Sequence, residues 1–208
     1  MGKKPKKEST TRIAPSTVVY QMKVTLKGIR PPIWRRIQVL ANTKLKTFEV
    51  ILQTVMGWIG GHLHEFDIHG VSYGDLSQFE KGDVLDEKKV RLDQLITAEK
   101  EKFFYVYDFG DDWEHQILLE KILPIDPRTQ YPVCLSGKRS CPPEDSGGPW
   151  GYVELLEIIK NPEHSEHEDT LEWLGGDFDP EWFDRETINM ELEGVRNTRR
   201  QTRCWDNK

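Results

Sequence analysis

Between Tyr107 and Glu120 the chain reads YDFGDDWEHQILLE, which crowds Asp108, Asp111, Asp112, Glu114 and His115 around one tryptophan, Trp113. Hard divalent cations take carboxylate oxygens and a histidine adds a nitrogen, so Asp108, Asp111 and His115 carry the donor types of a metal site. Further along, Glu144 and Asp145 form a second acidic pair, stiffened by Pro142-Pro143 before it and followed by Gly147-Gly148, which lets the backbone turn tightly. Were Asp108, Asp111, His115, Glu144 and Asp145 to converge on one or two divalent ions, those ions would activate water, and the chain would be a metal-dependent hydrolase acting on a phosphodiester. Strand alternation offers a plainer account: Trp113, His115, Ile117 and Leu119 share one face, which makes His115 a core-edge residue. Asp111 and Asp112 then only form a turn whose amides Asp108 caps.

Two further groups carry chemical potential. Cys134 and Cys141 are separated by six residues, wider than the two to four of a zinc knuckle, so with His115 they are weak metal donors and read equally as thiols packed under a loop. Trp34, Trp58 and Trp113, with Arg35, Arg36, His62 and His64, could frame a groove for a ligand or a peptide, closed by the segment from Cys134 to Gly148. Tryptophans also serve as core anchors. His164 and His167 sit among carboxylates, as at a solvated helix start. The tripeptide Asp108-Phe109-Gly110 lacks the other parts of a kinase, and there is no glycine-rich phosphate loop, nucleophile elbow or paired-histidine zinc-protease helix.

The elements that must position these residues follow from hydrophobic periodicity. Val18, Tyr20, Met22, Val24 and Leu26 alternate with polar residues, which predicts a half-buried strand. Pro31-Pro32 turns the chain, and Ile33 to Leu40 alternates again with Arg35, Ile37 and Val39 on one side, completing a hairpin. Thr47 is placed to cap a helix carrying Phe48, Ile51, Leu52, Val55 and Met56, and Gly57 to end it. A strand over HLHEFDIHG puts His62, His64, Phe66 and Ile68 on one face. After a polar loop from Gly74 to Lys89 and a helical turn at Leu92 to Ile96, FFYVYDF and the segment from Trp113 to Leu123 form a second hairpin. Pro124 to Pro149 holds six prolines and reads as a long loop of the kind that is functional or wrapped on the body. Helical spacing returns at Val153 to Ile159 and at Leu171 to Trp173, and Asp179 with Pro180 is placed to open a last helix. Hairpin, helix and strand in that order start a roll or β-grasp-like unit. The expected class is α+β, a mixed sheet with helices on one face, then a second β-hairpin and C-terminal helices.

Composition narrows the partners. The formal net charge is −6, yet residues 1–12 and 194–208 each carry five Lys/Arg against one acidic residue, which leaves the body strongly acidic. Such a body repels a phosphate backbone, so nucleic acid would be met only by the basic tails or by a local patch at Arg30, Arg35 and Arg36. No apolar stretch is long enough to span a bilayer, and three sparse cysteines suit a reducing compartment, so the expected setting is cytoplasmic without membrane contact.

Taken in order, PPIWRRIQV, MGWIGGHLHEF, YDFGDDWEHQILLE, YPVCLSGKRSCPPEDSGGPWGY, EWL and DPEWFD resemble the plasmid pRiA4b ORF-three-like family, over about Val18 to Leu192. The resemblance implies one α+β domain over 17–193, between a disordered basic tail (1–16) and a basic C-terminal tail (194–208). Some members are labelled resolvase-like passenger proteins of insertion elements, yet no helix-turn-helix and no arginine-clustered serine is evident here. The proline-rich block of the family often reads CPPEDCGG, whereas this chain has Ser146, so a site needing a third thiolate there is incomplete. The expected function is a cytoplasmic binding or accessory protein associated with mobile genetic elements, with an unassigned ligand or protein partner; the alternative is the hydrolase with its divalent metal.

Overall fold

The computed structural model describes residues 18–80 and 82–205, the last nine of them as backbone. The first strand, β1 (Val19–Leu26), pairs antiparallel with β2 (Trp34–Leu40), forming the expected hairpin. Helix α1 (Leu45–Met56) follows, then β3 (His64–Ile68), β4 (Val71–Gly74), β5 (Leu85–Asp86), the turn-length helix α2 (Leu92–Leu95), and a second hairpin of β6 (Lys102–Tyr107) and β7 (Trp113–Leu123). The edge strand β8 (Val133–Lys138) precedes α3 (Gly148–Lys160), α4 (His167–Leu174) and α5 (Arg185–Trp205). The eight strands form one sheet in the order β5-β4-β3-β6-β7-β1-β2-β8. Only β4 and β5 pair in parallel, so the sheet is mixed. The β6-β7 hairpin lies between β3 and β1, separating the strand after the helix from the first hairpin.

Register explains why helices cover one face. Val24 lies opposite Arg35 and Ile117, Phe103 opposite Ile117, Tyr105 opposite His115 and Phe66 opposite Tyr105, so the buried residues of five strands stand on a common side. There α1 lays Phe48 against Phe66 and Phe103, with ring centroids 6.1 and 6.2 Å apart, and Gln53 donates to the Tyr105 hydroxyl. Each such fully buried side chain contributes about 1.5–3 kcal/mol of transfer free energy. The opposite face is polar: Gln38 donates to Gln21, Gln21 to Glu120, and Arg36 forms a bidentate pair with Glu120 at 2.7 and 2.8 Å.

Several elements depart from the sequence expectations. Helix α1 begins at Leu45 instead of after Thr47, because Leu45 is fully buried and its amide donates to the Val90 carbonyl. Gly57 ends it as expected, at φ 96° with its amide donating to Gln53. Strand β8 lies inside the segment expected to be a loop. Its outer edge at Cys134 is held by the amide side chain of Asn189, which accepts from the Cys134 N–H at 2.8 Å and donates to the Cys134 carbonyl at 2.9 Å. No helix opens at Asp179. Asp184 caps α5 instead, accepting from Glu186 N at 2.8 Å and Thr187 N at 3.2 Å. The backbone of α5 runs on to 205, into the basic segment 194–208; the expected N-terminal tail, 1–16, lies outside the described residues.

Candidate functional site: an aromatic cleft with an acidic rim

The loop from Ser140 to Gly148 is docked by its backbone and by the Glu144 carboxylate, not by its thiols. Trp58, the first residue past Gly57, donates its indole N–H to the Pro142 carbonyl at 2.9 Å, and the Ile59 amide donates to Glu144 at 3.0 Å. The Tyr107 hydroxyl, at the end of β6, donates to the same carboxylate at 3.0 and 3.1 Å. Glu144 thus ties the segment after α1 to the end of β6. Next to it, Gly147 N donates to Asp111 at 3.1 Å, and Gly148 lies so close to the β6-β7 turn that a Cβ there would fall 2.3 Å from the Asp111 carbonyl oxygen. Its φ of +69° also demands glycine. The mid-chain carboxylates and the proline-stiffened segment therefore share one surface.

His62 stands where they meet. Its Nδ1 is 3.4 Å from Asp108 Oδ2, while Nε2 is 3.4 Å from Asp145 and 3.7 Å from Glu144. One donor atom each from His62, Asp108 and Asp145 lie within 4.8 Å of one another. Asp108 is held in the left-handed region (φ 56°) by its own turn, since its Oδ1 accepts from Gly110 N at 2.9 Å.

Beside this cluster, and sharing Glu144 and Asp145 with it, opens a cleft of about 750 Å³. Its walls are the end of α1 through Trp58, the Ser140–Asp145 loop, and the stretch joining α4 to α5. Trp173 and Trp182 line it while remaining 52 and 57% exposed, and Phe178 and Phe183 lie deeper. Six carboxylates surround it: Glu144, Asp145, Asp177, Asp179, Asp184 and Glu191. Among the described residues the one basic lining residue is Arg35, only 3% exposed. Its Nε donates to the Val55 carbonyl in the last turn of α1 at 2.8 Å, and Nη1 donates to Trp34 O and Lys138 O at 3.0 Å each. The guanidinium carbon sits 5.0 Å from the Phe183 ring centroid, and that packing requires Gly137, where a Cβ would meet Phe183 at 2.4 Å. Burial pushes the Arg35 pKa down from its ordinary value.

The expected site residues separate accordingly. Arg35, Trp58, Glu144 and Asp145 line the cleft, and His62 and Asp108 adjoin it. Asp111 serves the loop as an acceptor for Gly147. His115 does not join the carboxylates: it is fully buried on the helix-covered face, its Nδ1 is 3.2 Å from Tyr105 O, and its ring stands edge-on to Trp58 at 5.2 Å. Burial lowers its pKa from 6.5 to about 4. Trp113 lies fully buried beneath Trp58, and His64 is buried against Glu87 at 3.0 Å. Trp34 and Arg36 occupy the opposite, polar face, where Lys23 and Arg36 sit over the Trp34 ring. Cys134 and Cys141 are free thiols outside the metal-capable group found among the described residues, and burial pushes Cys134 up to about 11 and Cys141 higher still. Sequence reasoning missed the cleft roles of Trp173, Trp182, Phe178 and Phe183. The only hint was that EWL and DPEWFD belong to the recurring blocks.

Residues 18–187 match the family described as plasmid pRiA4b ORF-3-like protein. The chain belongs to the pRiA4b ORF-3-like family. An uncharacterised protein, y4hQ of Sinorhizobium fredii (strain NBRC 101917 / NGR234), is 38% identical over 192 residues, covering 88% of this chain and 98% of its own. The crystal structure of MM3350 from Methanosarcina mazei Go1, a protein of unknown function, aligns with a TM-score of 0.75 and 46% identity over 82% of this chain and 97% of that one. The pRiA4b ORF-3-like fold is therefore a mixed α+β sheet. No helix among its described residues is long and apolar enough to cross a membrane.

Proposed function

We propose that this protein is a non-enzymatic binding module whose ligand seats in the cleft between α1, the Ser140–Asp145 loop and the start of α5. One observation carries the reading: segments distant in sequence, namely Arg35, Trp58, the Cys141–Asp145 loop and the Asp179–Asp184 stretch, build one concave wall from the blocks that carry the family resemblance. The size of the cleft falls in the range of small-molecule sites, roughly 300–1,000 Å³. Trp173 and Trp182 offer apolar faces to a ligand body, and the carboxylate rim favours a cationic group on it. The free thiols of Cys134 and Cys141 support a cytoplasmic setting. The association with mobile genetic elements is carried by the family's plasmid-derived name.

The test is calorimetry with tryptamine, agmatine, tryptophan and arginine on the full chain and on Trp173→Ala and Trp182→Ala. Saturable one-site binding that both substitutions weaken at least tenfold is the expected result. Absence of binding by all four probes, or binding indifferent to both substitutions, overturns the reading.

A second reading, a divalent-metal hydrolase acting on a phosphodiester, is favoured by the convergence of His62, Asp108 and Asp145. It stands behind the first because His62 presents Nδ1 to Asp108 and Nε2 to Asp145 and Glu144. A metal takes only one of these nitrogens, whereas the ring faces a carboxylate with each of them. Stoichiometric binding of manganese or zinc, lost in His62→Ala and accompanied by hydrolysis of bis(p-nitrophenyl) phosphate, would reverse the order.

A further inference from the structure

We infer that Arg35 is an anion subsite at the floor of the cleft, so that the ligand is a small zwitterion carrying a carboxylate at one end and a cationic nitrogen at the other. This rests on the cleft being the binding site. A guanidinium has five N–H donors. Three of those on Arg35 are accounted for by Val55, Trp34 and Lys138, all backbone carbonyls, and Nη2 has no hydrogen-bond partner among the described residues. Arg35 is 3% exposed, and the cavity that it lines is this cleft.

The charge is equally unanswered. Although six carboxylates surround the cleft, none of the described ones lies within ion-pair distance of Arg35. The ionisable groups that act on it are Cys141 and Cys134, which burial keeps in the neutral thiol form. A buried cation with neither a counter-charge nor a full set of acceptors is costly, and an arriving anion offsets that cost.

Charge balance selects the kind of anion. A phosphate brings close to two negative charges towards a guanidinium ringed by six carboxylates and meets about twice the repulsion of a single charge. A carboxylate brings one, and a cationic nitrogen on the same molecule is held by Asp177, Asp179 or Asp184 at the rim. The aromatic walls between floor and rim suit a planar or extended body. An amino acid with a long basic side chain has this layout.

Matched probes on the full chain test the inference without depending on a variant. Arginine and lysine are compared by calorimetry with agmatine and cadaverine, which lack only the carboxylate, and with hexanoate, which lacks the cations. A dipeptide with a C-terminal arginine separates a free amino acid from a peptide terminus. Zwitterions binding at least tenfold more tightly than either partial probe is the expected result, with Arg35→Met removing the carboxylate preference and Arg35→Lys retaining part of it. Should Arg35→Met fail to fold, the probe comparison on the unaltered chain still decides. Amines binding as tightly as the zwitterions, with binding lost in Trp182→Ala, overturns the role of Arg35 but leaves the cleft as the site. Absence of binding by every probe overturns both.

Discussion

Acid should destabilise this protein well above the carboxylate range, and His115 is the reason. The ring is fully buried, its Nδ1 is satisfied by the Tyr105 carbonyl, and Nε2 has no partner, so a proton added at Nε2 would leave a buried charge without an acceptor. Its pKa falls from 6.5 to about 4 on folding. Between those values the unfolded chain binds the proton and the native state does not, so stability rises with pH across the window and is lost as pH falls through it. A shift from 6.5 to about 4 corresponds to a maximum of about 3 kcal/mol. Of this, about 2 kcal/mol is lost between pH 7 and pH 5. Glu120, held low by hydrogen bonds from Arg36, makes its own contribution only below about 4.5, under the pH 5 to 7 range of the assay. The assay is urea unfolding, followed by tryptophan fluorescence, of the native sequence and of His115→Leu at pH 7, 6 and 5. The other histidines are common to both proteins and cancel. The stability difference between the two should shift by about 2 kcal/mol in favour of the variant on going from pH 7 to pH 5. Parallel pH dependences, or an NMR titration of the His115 ring with a midpoint near 6.5, would refute the reasoning.

Further outcomes follow from the docking of the loop. Gly148→Ala should displace the loop from the β6-β7 turn and cost about 1–3 kcal/mol in thermal unfolding, since it adds left-handed strain to a 2.3 Å clash; an unchanged melting temperature would contradict the close approach. Tyr107→Phe removes the hydroxyl that donates to Glu144 and should cost about 1–2 kcal/mol, measured by urea unfolding, while weakening probe binding in the cleft. Arg36→Ala should cost no more than about 1 kcal/mol in the same measurement and leave cleft binding unchanged, because the Arg36–Glu120 pair sits on the opposite face.

The strands of the sheet could be read from period two because one face is buried and the other polar, which imposes strict alternation on β1, β2, β6 and β7. Strand β8 escaped the same reading: Ser136 and Gly137 blur its alternation, its register shifts where it meets Ile37, and a side chain on α5, not a further strand, satisfies its edge. Asp179 followed by Pro180 has the composition of a helix start, yet the residue that caps α5 is Asp184, a choice made by tertiary docking of the stretch against Ser140, whose hydroxyl donates to Asp179 O at 2.7 Å. In the site, alternation already separated Arg35 from Trp34 and Arg36. Grouping these residues by chemical type instead of by face placed all three in one groove, and the register divides them. Trp173 and Trp182 were beyond reach because nothing in a local pattern distinguishes an exposed tryptophan at a cleft rim from a core anchor.

The account stands or falls on where a ligand touches the protein. The seven tryptophans offer seven indole N–H signals in a proton–nitrogen spectrum, and arginine, which has no indole of its own, serves as the titrant. Shifts at Trp58, Trp173 and Trp182 that saturate together, with Trp34 and Trp150 unmoved, are the predicted result. Movement centred on Trp34, or no saturable movement at the three cleft indoles, would contradict it.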